Sequence, residues 1–177
     1  MKHFILSFSL IFLLFNFSLQ GQKTADNPND TTYTLKLEKP SFMISFPGEY
    51  ILEESSENNG LKTELYITMV NDEVYTLKYT EHKNPAISSG NPYYMDASLE
   101  SFVTGIKGTL SDKKSFKYGK YSGLEAFLTL DDKNMNVFYR VLIIDRVQYQ
   151  LIVITKSSEK TKMIKNFFNT FICPANS

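Results

Sequence analysis

Two adjacent segments near the end of the chain, Met135–Ile144 and Val147–Thr155, are apolar on both of their alternating sides. In the first segment the apolar residues fall into two sets: Val137, Tyr139, Val141 and Ile143 on one side, Phe138, Leu142 and Ile144 on the other. Strands of this kind are usually central in a sheet that is covered on both faces. We therefore expect a sheet between two packing layers, with Asp145-Arg146 as the turn between its central strands.

The first half of the chain alternates apolar and polar residues and predicts an antiparallel meander. Asn58-Asn59-Gly60 predicts a hairpin turn, because Asn-Gly suits the left-handed conformations of tight turns. The predicted strands around it cover residues 33–38, 42–46, 61–69 and 75–79.

Two segments follow the period of a helix. Between residues 95 and 110 one stripe is apolar: Leu99, Phe102, Val103, Ile106 and Leu110. Asp96 is predicted to cap the start of this helix. A last helix is predicted from Ser157 or Ser158 to Pro174, with Ile164, Phe167, Phe168 and Phe171 as its buried stripe.

Between these helices, residues 115–121 and 124–130 are further predicted strands. The order is a meander, a helix, four strands and a helix. It predicts an α+β fold, a mostly antiparallel β-sheet with helices packed on it. We expect a single domain over residues 33–173.

Residues 1–21 have the charged, apolar and small-residue order of a secretory signal peptide. Lys2 and His3 precede an apolar stretch at 4–15, and cleavage after Ser18 or Gly21 is expected. A membrane anchor is the alternative, but crossing a bilayer takes about 20 apolar residues. The prediction is an exported protein, periplasmic or secreted, with no stable membrane insertion after cleavage.

Residues 22–32 are polar and predict a flexible lead-in. Asn29-Asp30-Thr31 fits the N-glycosylation pattern, and Asp30-Thr31-Thr32 resembles a bacterial O-glycosylation acceptor.

The composition argues against several classes of protein. With 19 basic and 19 acidic residues, two His and one Cys, the chain has neither the charge of a nucleic-acid binder nor the ligands of a multi-residue metal site. We expect no cofactor. His82 is the one histidine left after cleavage, and Cys173 is the one thiol. No catalytic set can be assembled around either, so a non-enzymatic protein is expected.

The segment at 81–94 is long for a connection between two elements. We predict a binding surface there, formed by His82, Asn91, Tyr93 and Tyr94, because tyrosine is favoured at interfaces. The alternative is that Tyr93 and Tyr94 fasten the loop onto the start of the helix.

Four landmarks resemble the PsbP-like family, bacterial relatives of the photosystem II subunit PsbP: residues 42–48 (FMISFPG), 121–126 (YSGLEA), 139–151 (YRVLIIDRVQYQL) and 165–171 (KNFFNTF). The resemblance covers about residues 40–172. It implies an α/β/α sandwich and a non-catalytic accessory or binding role.

Three functional hypotheses follow, and the partner and the oligomeric state stay open in all of them. The first is a non-enzymatic exported domain that recognises a protein or cell-envelope partner. The alternative is a carrier of a small hydrophobic ligand between sheet and helices, suggested by twenty Phe and Tyr residues outside the signal segment. An enzyme with His82 as its base is a third, weaker candidate.

Overall fold

The computed structural model describes residues 32–88, 90–130 and 133–174. The signal peptide and nearly all of the lead-in, with the glycosylation patterns, lie outside this part of the chain, and the domain limits at 33 and 173 stay a prediction. The elements are β1 (Tyr33–Glu38), β2 (Ser41–Phe46), β3 (Ile51–Asn58), β4 (Leu61–Val70), β5 (Glu73–His82), α1 (Pro92–Ile106), β6 (Thr109–Tyr118), β7 (Tyr121–Leu130), β8 (Met135–Ile144), β9 (Val147–Thr155) and α2 (Lys162–Asn169).

Seven strands form one antiparallel sheet in the order β3-β4-β5-β9-β8-β7-β6. The two segments that are apolar on both sides, β8 and β9, lie inside this sheet as predicted. β3 and β6 are its edges, and β1 and β2 form a separate hairpin.

Each face of the sheet carries its own apolar core. On one face, Met95, Leu99, Phe102 and Ile106 of α1 pack on β7, β8 and β9. On the other face, the β1–β2 hairpin and α2 cover β5, β8 and β9, joined by Phe171 from beyond the helix. These layers confirm the predicted α+β fold with helices packed on an antiparallel sheet.

α1 begins earlier than the sequence predicted, and Asp96 does not cap it. Asn91 is the N-cap, because its side-chain oxygen accepts a hydrogen bond from the Tyr93 backbone N–H at 3.1 Å. Pro92 follows in the first turn, where its missing N–H costs nothing. The helix ends at Ile106 because Lys107 is left-handed, with φ 56°. Leu110 therefore belongs to β6.

α2 begins later than predicted, at Lys162. The Thr161 side chain caps it by accepting from the Ile164 N–H at 3.3 Å. Ser157 instead donates to the Glu159 carbonyl in the preceding turn. Ile164, Phe167 and Phe168 are buried as predicted, and Phe171 is buried beyond the helix end.

Among the described helices, neither is long and apolar enough to cross a membrane.

Candidate functional site

The start of α1 carries three of the four residues of the predicted binding surface. Asn91 is occupied as the N-cap, while the Tyr93 side chain next to it is 68% exposed. The Tyr94 ring is partly buried against the core under α1. The two tyrosine rings meet edge to face with centroids 5.6 Å apart. Tyr94 therefore fastens the helix start, and Tyr93 is presented to solvent.

His82, the fourth predicted residue, lies at the end of β5 and is partly buried. Its Nε2 lies 3.4 Å from the Gln148 side-chain oxygen on β9. Burial lowers the pKa of His82 below its ordinary value, and the hydrogen bond to Gln148 opposes this shift only in part. Burial therefore favours the neutral imidazole.

A polar cluster that was not predicted from the sequence joins His82 to α1. Ser98 Oγ lies 2.6 Å from Gln148 Nε2 and 2.5 Å from Gln150 Nε2, and 3.2 Å from Tyr139 Oη. In the sequence, the sign of this cluster was the presence of polar residues within otherwise apolar segments. That these residues meet under one helix is seen only from the register of β8 and β9.

The donors in this cluster fix the direction of its hydrogen bonds. Both amide groups donate to Ser98 Oγ, so the serine hydroxyl proton is directed to Tyr139 Oη. Since the Gln148 amide nitrogen donates to Ser98, its oxygen accepts from His82 Nε2–H. Gln148 thus separates Ser98 from His82, and the arrangement is not a serine–base pair of the kind that nucleophilic catalysis uses.

Replacing Ser98 by Ala is expected to destabilise the fold by about 1–3 kcal/mol, since partly buried amide groups of Gln148 and Gln150 lose their acceptor. Urea denaturation at pH 7 measures the change. Ser101→Ala is the matched control, because Ser101 is exposed on the same helix. Equal stability of both variants would contradict the assigned role of the cluster.

A second cluster, centred on Glu125, lies on the opposite face of the sheet. Glu125 of β7 is 8% exposed and is paired across the strands with Arg140 of β8 and Lys114 of β6. Its carboxylate accepts from Arg140 Nε at 2.9 Å, from Arg140 Nη2, and from Lys160 Nζ at 3.1 Å. Lys114 Nζ is 3.5 Å away.

Aromatic rings shield this cluster from water. The Arg140 guanidinium lies over the rings of Phe116 and Phe168, 4.8 and 4.9 Å from their centroids. Its Nη1 donates to the Phe168 carbonyl at 2.9 Å, which ties β8 to the end of α2. Burial pushes the pKa of Glu125 upward, but Arg140 and Lys160 outweigh it, so the pKa is lowered overall. Ion pairs therefore connect β7 to β8 and to Lys160 before α2, and the hydrogen bond to the Phe168 carbonyl connects them to α2.

Cys173 is buried against the β1–β2 hairpin. Its thiol donates to the Ser41 carbonyl at 3.3 Å, and burial raises its pKa. The protonated thiol is a poor nucleophile. Within the described residues, no group of three His, Cys, Asp or Glu side chains is placed to hold a metal ion.

Two surface grooves flank the helices. One of about 610 Å³ lies between the start of α1 and the β6–β7 hairpin, and includes Pro92, Met95 and Lys113. The other, of about 790 Å³, lies between α2, the β1–β2 hairpin and the turn after β4. Aromatic rings pack on one another in both cores, as Phe102 does on Tyr139 with centroids 4.9 Å apart. Core packing therefore accounts for much of the aromatic content.

No family model and no curated protein sequence matches the chain. Among solved structures, it is similar to the solution structure of cyanobacterial PsbP (CyanoP) from Synechocystis sp. PCC 6803. The TM-score is 0.56 at 8% sequence identity, and the match covers 86% of this chain and 98% of that chain. The predicted PsbP-like fold is thus confirmed.

Proposed function

From the PsbP-like fold of this chain, we propose that it is a non-enzymatic exported domain that binds a protein or cell-envelope partner through the start of α1. The observation that carries the proposal is the exposure of Tyr93 on a helix end that is held in place from beneath. Asn91 caps the helix, Tyr94 anchors it, and Ser98 ties it to the central strands. A large side chain on a rigid support loses little conformational freedom when it binds.

The neighbouring groove supports the same surface. Pro92 and Met95 form one wall, and Lys113 and Lys117 of β6 contribute to the other. Protein interfaces typically have aromatic side chains at their centre and polar side chains at their rim, and Tyr93 with the neighbouring groove offers both. Export is part of this proposal because residues 1–21 have the order of a signal peptide. A non-enzymatic role is part of it because neither His82 nor Cys173 is paired with a catalytic partner among the described residues.

Placing a photo-crosslinking amino acid at Tyr93 tests the proposal in the cell that makes the protein. We expect a covalent adduct with a defined partner, which mass spectrometry identifies. We also expect Tyr93→Ala to reduce partner recovery at least about tenfold, which corresponds to a loss of about 1.4 kcal/mol of binding free energy.

Met69 is the matched control, because it is 53% exposed on β4. A crosslinker at Met69 should give no such adduct, and Met69→Ala should leave partner recovery unchanged. The same adducts from both positions, or none from Tyr93, would contradict the proposed surface.

A further inference from the structure

The two edge strands of the large sheet carry opposite charge. β3 contains Glu53, Glu54 and Glu57 and no basic residue. β6 contains Lys113, Lys114 and Lys117 and one acidic residue, Asp112. An edge strand with charged side chains is the usual protection against pairing with another sheet. Protection by charge works only when both approaching edges have the same sign.

The opposite signs extend beyond the edge strands. Residues 49–83, which contain β3, β4 and β5, include eight acidic and three basic residues. Residues 109–169, which contain β6 to β9 and α2, include eleven basic and six acidic residues. The sheet is therefore negative towards β3 and positive towards β6, although the whole chain has a net charge of zero.

Both edges are open in the part of the chain that the structure describes. β3 is hydrogen-bonded only to β4 and β6 only to β7 within the sheet. Every residue of β3 except Glu53 is exposed, and so are residues 109–115 of β6. Both strands also contain a register shift, between Leu52 and Glu54 in β3 and between Leu110 and Asp112 in β6. Beyond these shifts, at residues 54–58 and 112–118, an edge strand presents its outer N–H and C=O groups to a further strand.

Charge selects how two copies can meet. Any two-fold axis brings an edge against the same edge of its copy, which places Glu beside Glu or Lys beside Lys. Like charges on facing strands are destabilising. A head-to-tail arrangement places the acidic β3 of one copy beside the basic β6 of the next, so opposite charges face each other along the junction.

We propose that this protein associates head to tail with further copies of itself, by pairing the β3 edge of one copy with the β6 edge of the next. The sheet has seven antiparallel strands, so its first and last strands, β3 and β6, run in the same direction. If the sheet continues into the next copy with α1 on the same side, β6 of one copy and β3 of the next are therefore parallel. Each added copy leaves one acidic and one basic edge free, so association does not stop at a dimer.

The ion pairs that these side chains make within one copy are exposed. Lys113 is 3.1 Å from Asp96, and Glu57 is 3.8 Å from Lys83. Exposed pairs contribute little to stability, so the side chains can exchange them for partners on a second copy.

The test uses two charge-reversed variants of the protein, purified after export from the full chain. Lys113→Glu/Lys117→Glu makes both edges acidic, and Glu54→Lys/Glu57→Lys makes both edges basic. The controls make the same change of net charge away from the edges: Lys162→Glu/Lys165→Glu and Glu100→Lys/Glu159→Lys, all at exposed positions. Sedimentation velocity at low and high salt measures the mass of each sample and of the mixed variants.

We expect the unaltered protein and both controls to exceed the mass of a monomer as concentration rises. In 1 M NaCl they should return to monomers, because charges more than about 3 Å apart are then largely screened from each other. Each edge variant should stay monomeric alone, and mixing the two should restore association. A monomer at every concentration, or association that survives Lys113→Glu/Lys117→Glu, overturns the proposal. Loss of association in the controls as well overturns it too, because net charge would then explain the effect. Tyr93→Ala should leave self-association intact, so this test and the partner test fail independently.

Discussion

Replacing Glu125 by Gln is expected to cost about 3 kcal/mol of unfolding free energy at pH 7, the lower end of the range for breaking a buried ion pair. The change leaves the Arg140 guanidinium and the Lys160 ammonium without their counter-charge between Phe116 and Phe168. For a domain of this size the melting temperature should fall by roughly 6–12 °C. Thermal and urea denaturation measure both quantities.

The pH dependence separates this electrostatic cause from a loss of packing. The pKa of Glu125 is lowered in the folded protein, so its contribution is complete above the ordinary value of about 4.5 and is lost as pH falls through the folded pKa. The stability difference between the native protein and Glu125→Gln should be full at pH 6–8 and shrink below pH 4.5. Glu100→Gln, at an exposed site on α1, should change stability by less than about 0.5 kcal/mol. A difference that is independent of pH would contradict the assignment.

Glu125 also shows where prediction from the sequence ends. A single acidic residue inside the apolar strand YSGLEAFLTL indicates that a group of opposite charge must lie next to its carboxylate. Its partner is fixed by register: Glu125 faces Arg140 across the β7–β8 pair, and α2 brings in the Phe168 carbonyl. Alternation determines which face a residue takes, but not which residue of another strand it meets.

The same distinction explains the rest of the fold. The central position of β8 and β9 was predictable, because few arrangements bury strands that are apolar on both sides. β3, with the sequence ILEESSEN, has no apolar face, and only its pairing with β4 makes it a strand. The start of α1 was misplaced because Asp96 stands beside the apolar stripe, whereas the actual cap, Asn91, precedes a proline and two tyrosines.

The candidate surface at the start of α1 stays a prediction. It rests on the length of the connection and on its tyrosines, and the structure shows that Tyr93 is exposed and that Tyr94 is packed. The cluster of Ser98, Gln148 and Gln150 beneath it depends on contacts between residues about 50 positions apart, which no local pattern specifies.

Replacing Phe42 by Ala is expected to cost about 3–5 kcal/mol, the usual effect of truncating a buried Phe. The Phe42 side chain of β2 is 1% exposed. Its ring contacts those of Tyr79, Tyr149 and Phe171, at centroid distances of 5.6, 5.4 and 6.2 Å. It therefore joins the hairpin to the central strands and to the segment after α2. Since domains have only about 5–15 kcal/mol of stability, this variant should be close to unfolding, and Phe42→Leu should keep more of the packing.

Hydrogen exchange shows whether the effect is local, as this geometry requires. The Met43 and Ile172 backbones exchange hydrogen bonds of 2.7 and 2.8 Å, next to the Phe42 ring. In Phe42→Leu their amides should lose protection before those of β8 and β9, because the hairpin and the C-terminal segment detach first from a sheet whose other core stays intact. Tyr93→Ala removes an exposed ring and should change neither stability nor exchange at these amides. Uniform loss of protection across β2, β8 and β9 would mean that the two faces of the sheet unfold as a single unit, so that the contacts of Phe42 support the whole sheet rather than the hairpin alone.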